Sequence, residues 1–155
     1  MNVGLCWAGG PLHRNDRNRS TEFRDWLPLF RLPVRVHSLQ AGDRADDWKD
    51  HEYEPGVSEI VTPLQPGDDW HRTAGVIAGL DLVLTVDTAV LHLAGGMGKR
   101  CWAALATSPD FRWGLGHDYT PWYPSIRLYR QAKVGEWGEV IARMTTDLEA
   151  LTCAR

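Results

Sequence analysis

The stretch Leu82-Val83-Leu84-Thr85-Val86-Asp87-Thr88-Ala89-Val90-Leu91-His92-Leu93-Ala94-Gly95-Gly96 decides the fold. Its first five residues are apolar and β-branched without a break. Continuous rather than alternating hydrophobicity means burial on both faces, the condition of a strand inside a parallel sheet. Asp87-Thr88 then favours a helix start, and Gly95-Gly96 a helix stop. A buried strand running into a short helix is one piece of a βαβ unit.

The same pattern recurs on both sides. Val3–Trp7 reads as a buried strand ending at Gly9-Gly10-Pro11, and Leu12–Arg19 as a polar loop. Ser20 is placed to cap a helix near Thr21, where Phe23, Trp26, Leu27 and Phe30 recur at helical spacing and Pro28 must distort the pattern. Val34–Leu39 is a second strand. Asp43–Glu54 is charged without a period, and Val57–Leu64 reads as a short edge element. Asp68 or Asp69 caps a helix carrying Ala74, Ile77, Ala78 and Leu80. Cys101–Ala106 and Ile126–Tyr129 are further strands, separated by the aromatic loop Thr107–Pro124, and Glu136–Leu151 is a closing amphipathic helix. Strands alternating with helices predict an α/β fold, a three-layer Rossmann-like parallel sheet. Ligands of such sheets bind beyond the carboxyl ends of the strands, here Trp7, Leu39, Val86 and Ala106.

Composition narrows the function. The chain has 155 residues, with 43% hydrophobic and 24% charged residues, and fits one folded domain. A net charge of −3 predicts no nucleic-acid partner. No apolar run approaches the ~20 residues that span a bilayer. Cys6, Cys101 and Cys153 form no CxxC pair, which suits a reducing compartment, and Met1–Gly10 lacks the marks of a secretory signal. A cytoplasmic location is the expectation. Of the eight tryptophans, Trp7, Trp26, Trp102 and Trp137 are expected in the core, while Trp113 and Trp122 either line a cleft or, the simpler reading, serve in packing.

Three places offer chemistry. The helix start at Asp87-Thr88-Ala89 joins unpaired backbone amides to a positive dipole end, a phosphate-ready arrangement, with the Thr88 hydroxyl at the same point. Thr88 and His92 are four apart and share a face, while Gly95 and Gly96 permit close approach. Asp87 equally serves as a plain helix cap, and His92 equally reads as a half-buried packing residue. Arg14, Arg17 and Arg19 in the first loop suit bidentate phosphate recognition, or simply meet water. Gln40, ending the second strand, carries an amide able to reach a ribose or base, or water. The six histidines form no HExxH or comparable ligand spacing, so no metal site is expected. Gly95-Gly96-Met97-Gly98 is not GxGxxG and follows a helix, which counts against an NAD-dependent oxidoreductase. No P-loop or GxSxG is present.

Leu80–Lys99, with its Asp87-Thr88-Ala89 and His92-Leu93-Ala94, resembles the signature of family 9 glycosyltransferases, the ADP-heptose:lipopolysaccharide heptosyltransferase group. The likeness is greatest to the branch at the C-terminus of bacterial tetratricopeptide-repeat proteins. Gly4–Gly9 running on to Asp16–Ser20, His37–Gln40, and Trp122–Arg127 agree with it in order. The resemblance implies the C-terminal half of a GT-B glycosyltransferase, spanning residues 1–155, with the N-terminal acceptor domain absent. It implies that Asp87, Thr88, Ala89, His92, Arg19 and then Arg17 contact donor phosphates, and that Gln40 meets the ribose or base. Ala89 stands where the family commonly has glycine. The implied reaction is metal-independent, inverting sugar transfer from a nucleotide sugar, without a cofactor. The family's general base comes from the other half, so no catalytic residue is assigned here. The partner would be an N-terminal domain supplied in trans, or a second copy. The alternative is a non-catalytic nucleotide-binding or protein-interaction module of the same descent, its aromatic loop serving as the interface.

Overall fold

The computed structural model describes residues 1–154. Five strands, β1 (Asn2–Cys6), β2 (Arg35–Ser38), β3 (Leu82–Val86), β4 (Cys101–Leu105) and β5 (Ile126–Arg130), form one sheet in the order β2-β1-β3-β4-β5. Every pairing is parallel, with registers such as Leu5↔Leu84 and Ala103↔Leu128. The α/β, Rossmann-like fold expected from the strand pattern is therefore present.

Strand side chains alternate between two cores. On one face Val3, Leu5, Trp7, Leu82, Leu84, Val86 and Trp102 pack with Phe23, Trp26, Leu29 and the helix α4 (Trp137–Cys153). On the other, Val83, Cys101, Ala103, Leu105 and Leu128 pack with α2 (Trp70–Ala78) and α3 (Ala89–Gly96). All five residues of β3 are buried, which explains its uninterrupted hydrophobicity. In α4 the buried Trp137, Val140, Ile141, Met144 and Leu148 form one helical stripe. Each such side chain stabilises by about 1.5–3 kcal/mol on burial. Asp69 caps α2 by accepting from the Arg72 amide.

The structure corrects the reading of the first helix. Phe23–Arg31 is a nine-residue 3-10 helix, begun by a capping box between Glu22 and Asp25 rather than by Ser20. Pro28 lacks the N–H that an α-helix would aim at the preceding turn. With three residues per turn, Phe23, Trp26 and Leu29 eclipse one another and form the buried face. Asp16–Arg19 forms a short helix, α1, inside the expected loop. Asp43–Glu54 contains two 3-10 turns, and the edge element reduces to a turn at Val57–Glu59 and a parallel bridge between His37 and Val61. No helix among the described residues is long and apolar enough to cross a membrane.

Candidate functional site

The strand order reverses at β1 and β3, because β1 sends its chain out to β2 on one side and β3 leads to β4 on the other. A crevice opens at such a point beyond the carboxyl ends of the strands. Here it is a cleft of about 830 Å³. Its walls come from the first loop, the head of α3, and the segments after β4 and β5.

The first loop is pinned back onto β1. The Thr21 amide and hydroxyl both donate to the Trp7 carbonyl, at 2.9 and 2.7 Å, and the Trp26 indole donates to the Thr21 hydroxyl at 2.7 Å. The Ser20 hydroxyl donates to Asp16 Oδ1 at 3.0 Å and accepts from the Gly9 amide at 2.9 Å. A Cβ on Gly9 would strike the Arg19 guanidinium and the Asp16 carboxylate, so any other residue there would displace that pair. Arg19, held by Asp16 at 3.4 Å, donates from Nη1 to the Asp87 carbonyl at 2.7 Å. The first loop thus meets the start of α3. Arg17 does not: it is exposed and lines a separate charged groove with Glu22, Arg24 and Glu139.

Thr88 sits at the N-cap of α3 but makes no capping bond with its side chain. Thr85 donates its hydroxyl to the Val86 carbonyl at 2.9 Å, so the Thr88 hydroxyl is the donor in the 3.1 Å bond between the two threonines. The hydroxyl is turned inward. The first intrahelical bonds to the Thr88 carbonyl come from Leu91 and His92, at 3.0 and 3.5 Å. The amides of Ala89 and Val90 precede them and have no helical acceptor. Ala89 is exposed, so its methyl group does not close the approach.

His92 lines the cleft one turn later. Its ring stacks on Trp113 with centroids 5.2 Å apart, and Nδ1 shares a 3.1 Å hydrogen bond with the Tyr123 hydroxyl. Among the described residues Nε2 has no hydrogen-bond partner. Gly95 makes this clamp possible, since a Cβ there would lie 2.6 Å from the Tyr123 ring. Trp113 is fully buried, as a packing residue and not as part of the cleft wall. Arg130 ties its loop down by donating to the carbonyls of Trp113, Gly114 and His117 at 2.5, 3.0 and 2.8 Å. Trp122 is 64% exposed.

Burial pushes the Asp87 carboxyl up from its ordinary value, against the pull of the nearby Trp113 indole, Arg19 and His92. Asp110, at the rim, lies below its ordinary value: slight burial is outweighed by the Arg112 amide and guanidinium. Gln40 is buried. Its Oε1 accepts from the Trp7 and Ala8 amides at 3.1 and 2.9 Å, and from the Cys6 thiol at 3.5 Å. It braces the end of β1 and also lines a smaller apolar cavity of about 210 Å³ with Gly42, Trp70 and Ala89. That cavity shares Thr88 and Ala89 with the large cleft, so the head of α3 separates the two.

The chain matches no family model. Protein FlbA of Caulobacter vibrioides is 32% identical over 149 residues, 94% of this chain and 24% of FlbA. The chain thus spans about a quarter of that relative's length. Among solved structures, E. coli heptosyltransferase WaaC with ADP-2-deoxy-2-fluoro heptose superposes with a TM-score of 0.63. The match covers 94% of this chain and 43% of WaaC, at 13% identity. The fold is shared with a heptosyltransferase.

Sequence reasoning missed part of the wall. Thr107, Ser108, Asp110, Arg112 and Gln131 line the cleft from the ends of β4 and β5. The rule that ligands sit beyond strand ends pointed to the loop after Ala106. Applied to β5 as well, it would also have pointed to Gln131. Among the described residues no group of three or more His, Cys, Asp or Glu side chains is placed to hold a metal ion.

Proposed function

We propose that residues 1–155 are the donor-binding domain of a metal-independent, inverting glycosyltransferase, and that the ligand is a nucleotide sugar. The observation that carries this reading is the meeting of Arg19 with the head of α3 at the β1/β3 crevice, with His92 beside it. Open helix amides, a guanidinium and an imidazole make one end of the cleft a seat for a diphosphate. The shared fold with WaaC, whose solved complex carries an ADP-sugar, supports the same reading.

In this reading the diphosphate lies between Arg19 and the Ala89–Val90 amides. The nucleoside turns into the smaller cavity, where the half-exposed Trp70 offers an aromatic face and Gln40 its amide. Departure of the nucleoside diphosphate builds negative charge where these fixed donors already point, and that is electrostatic catalysis. The base that deprotonates the acceptor belongs to an acceptor domain, and none is assigned to this chain. The free thiols fit a cytoplasmic setting.

Calorimetric titration with ADP, UDP and GDP, and with their sugar conjugates, tests the reading. Saturable binding that Arg19→Ala weakens is expected. An intact, folded chain that takes none of them at millimolar concentration would end it. A second reading, a non-catalytic interaction module, draws on the exposed Phe111, Leu115 and Trp122. A glycosyl-transfer assay separates the two.

A further inference from the structure

The diphosphate seat uses only one end of the cleft. At about 830 Å³, the cavity sits near the top of the ~300–1,000 Å³ range of sites that enclose a whole small molecule. The other end is built differently. Gln131 follows β5 and is only 5% exposed. Its backbone amide donates to the Leu105 carbonyl at 2.9 Å, and its Oε1 accepts from the Thr107 amide at 3.3 Å. Its Nε2 has no hydrogen-bond partner among the described residues, although the side chain lines the cleft. A buried amide donor left unpaired is costly, and a binding site is one place where that cost is recovered. The terminal amide torsion is soft, so the group turns readily toward a ligand.

Two neighbours on the same wall complete the set. Ser108, exposed at the end of β4, offers a hydroxyl. Asp110 receives hydrogen bonds from the Arg112 amide and Nη1, at 3.0 and 2.7 Å, both on Oδ1. Its Oδ2 is left to accept. Arg112 is occupied by this pair, so this end of the cleft is nearly neutral and carries mixed donors and acceptors. A diphosphate prefers the Arg19 end. A polyol, whose hydroxyls both donate and accept, matches the Gln131 end.

The geometry points to a sugar subsite at the β4–β5 end, in which Gln131 Nε2 donates to one hydroxyl of the transferred glycosyl group and Asp110 Oδ2 accepts from another. This rests on the nucleotide-sugar reading above. It makes Gln131 and Asp110 residues that set sugar specificity and tell a nucleotide sugar from its bare nucleotide.

The test compares two titrations on the full chain: the nucleoside diphosphate that binds best, and the sugar conjugates of that nucleotide. Gln131→Leu and Asp110→Asn should each weaken the best conjugate by about tenfold, the loss of one ligand hydrogen bond, and leave the bare diphosphate within twofold. Asp110→Asn serves if Gln131→Leu disturbs the Thr107 turn and fails to fold. Equal losses for both ligands, no loss for either, or a wild-type chain that holds no conjugate more tightly than the bare diphosphate would each overturn the subsite and leave the diphosphate site standing. No binding of any nucleotide would instead sink the reading on which it rests.

Discussion

Arg19 Nη1 donates to the backbone carbonyl of Asp87 at 2.7 Å, joining the loop after β1 to the head of α3 across the point where the strand order reverses. The bond holds a cation beside open helix amides without neutralising it, because a carbonyl accepts a hydrogen bond but brings no full charge. The counter-charge is Asp16, whose Oδ1 lies 3.4 Å from Arg19 Nε and also accepts from Ser20.

Arg19→Lys follows directly. Lysine keeps the charge and loses the planar fork that spans a carbonyl and a phosphate together. Affinity for ADP or UDP should fall by about 10- to 100-fold, the range for losing a charge-assisted hydrogen bond. Calorimetry reads it. An Arg19→Lys chain that binds as tightly as the wild type would show that the guanidinium is not part of the seat.

Adjacent glycines should behave oppositely. A Cβ on Gly95 would sit 2.6 Å from the Tyr123 ring and 2.8 Å from Ile126 Cδ1, whereas one on Gly96 meets nothing. Gly95→Ala should cost about 1–3 kcal/mol through overpacking. Gly96→Ala should be neutral, or stabilising by up to ~1 kcal/mol through helix propensity. Urea unfolding of both variants decides it. Equal effects would mean that Tyr123 is not seated against α3, and that His92 lacks its clamp.

The family resemblance implies that Gln40 meets a ribose or base; its geometry gives it a structural duty. Replacing it with leucine leaves the buried Trp7 and Ala8 amides without an acceptor. A loss of about 1–3 kcal/mol for each of the two unpaired amides is expected. Thermal unfolding at unchanged pH measures it. A Gln40→Leu chain as stable as the wild type would remove the brace and leave only the ligand role.

The sheet was legible because its evidence is local. Continuous apolar runs such as Leu82–Val86 admit few readings, and strands alternating with helices along the chain point to one architecture. The helix at Phe23–Arg31 misled because apolar spacings of three and four fit an α-helix, while Pro28 and the Phe23, Trp26, Leu29 triplet fit a 3-10 helix. Over nine residues the two periods barely diverge. The α3 wall of the cleft was legible too, since Asp87 to His92 is contiguous. Its other wall was not. Asp110 and Gln131 are loop polars that look solvated until sheet order sets β4 beside β5. Trp113 illustrates the converse, an aromatic in a loop that is buried because Arg130, on the next strand, gathers three of the loop's carbonyls.

Asp87 supplies the last prediction, through its titration. Burial raises its pKa above the ordinary value of 3.8, with Trp113, Arg19 and His92 offsetting part of the rise and Asp110 adding to it. Between 3.8 and the native value the unfolded chain has released this proton while the native chain still holds it. The unfolded state then binds fewer protons, so Asp87's contribution to stability falls as pH rises through that window and levels off above it. Below the window both states are protonated and there is no penalty. Asp87→Asn keeps the shape and cannot ionise. Its stability relative to wild type should therefore improve from pH 3.5 to pH 7, as read by urea unfolding at a series of pH values. A difference that stays flat, or moves the other way, would mean that the native site holds the Asp87 carboxylate no less comfortably than water does.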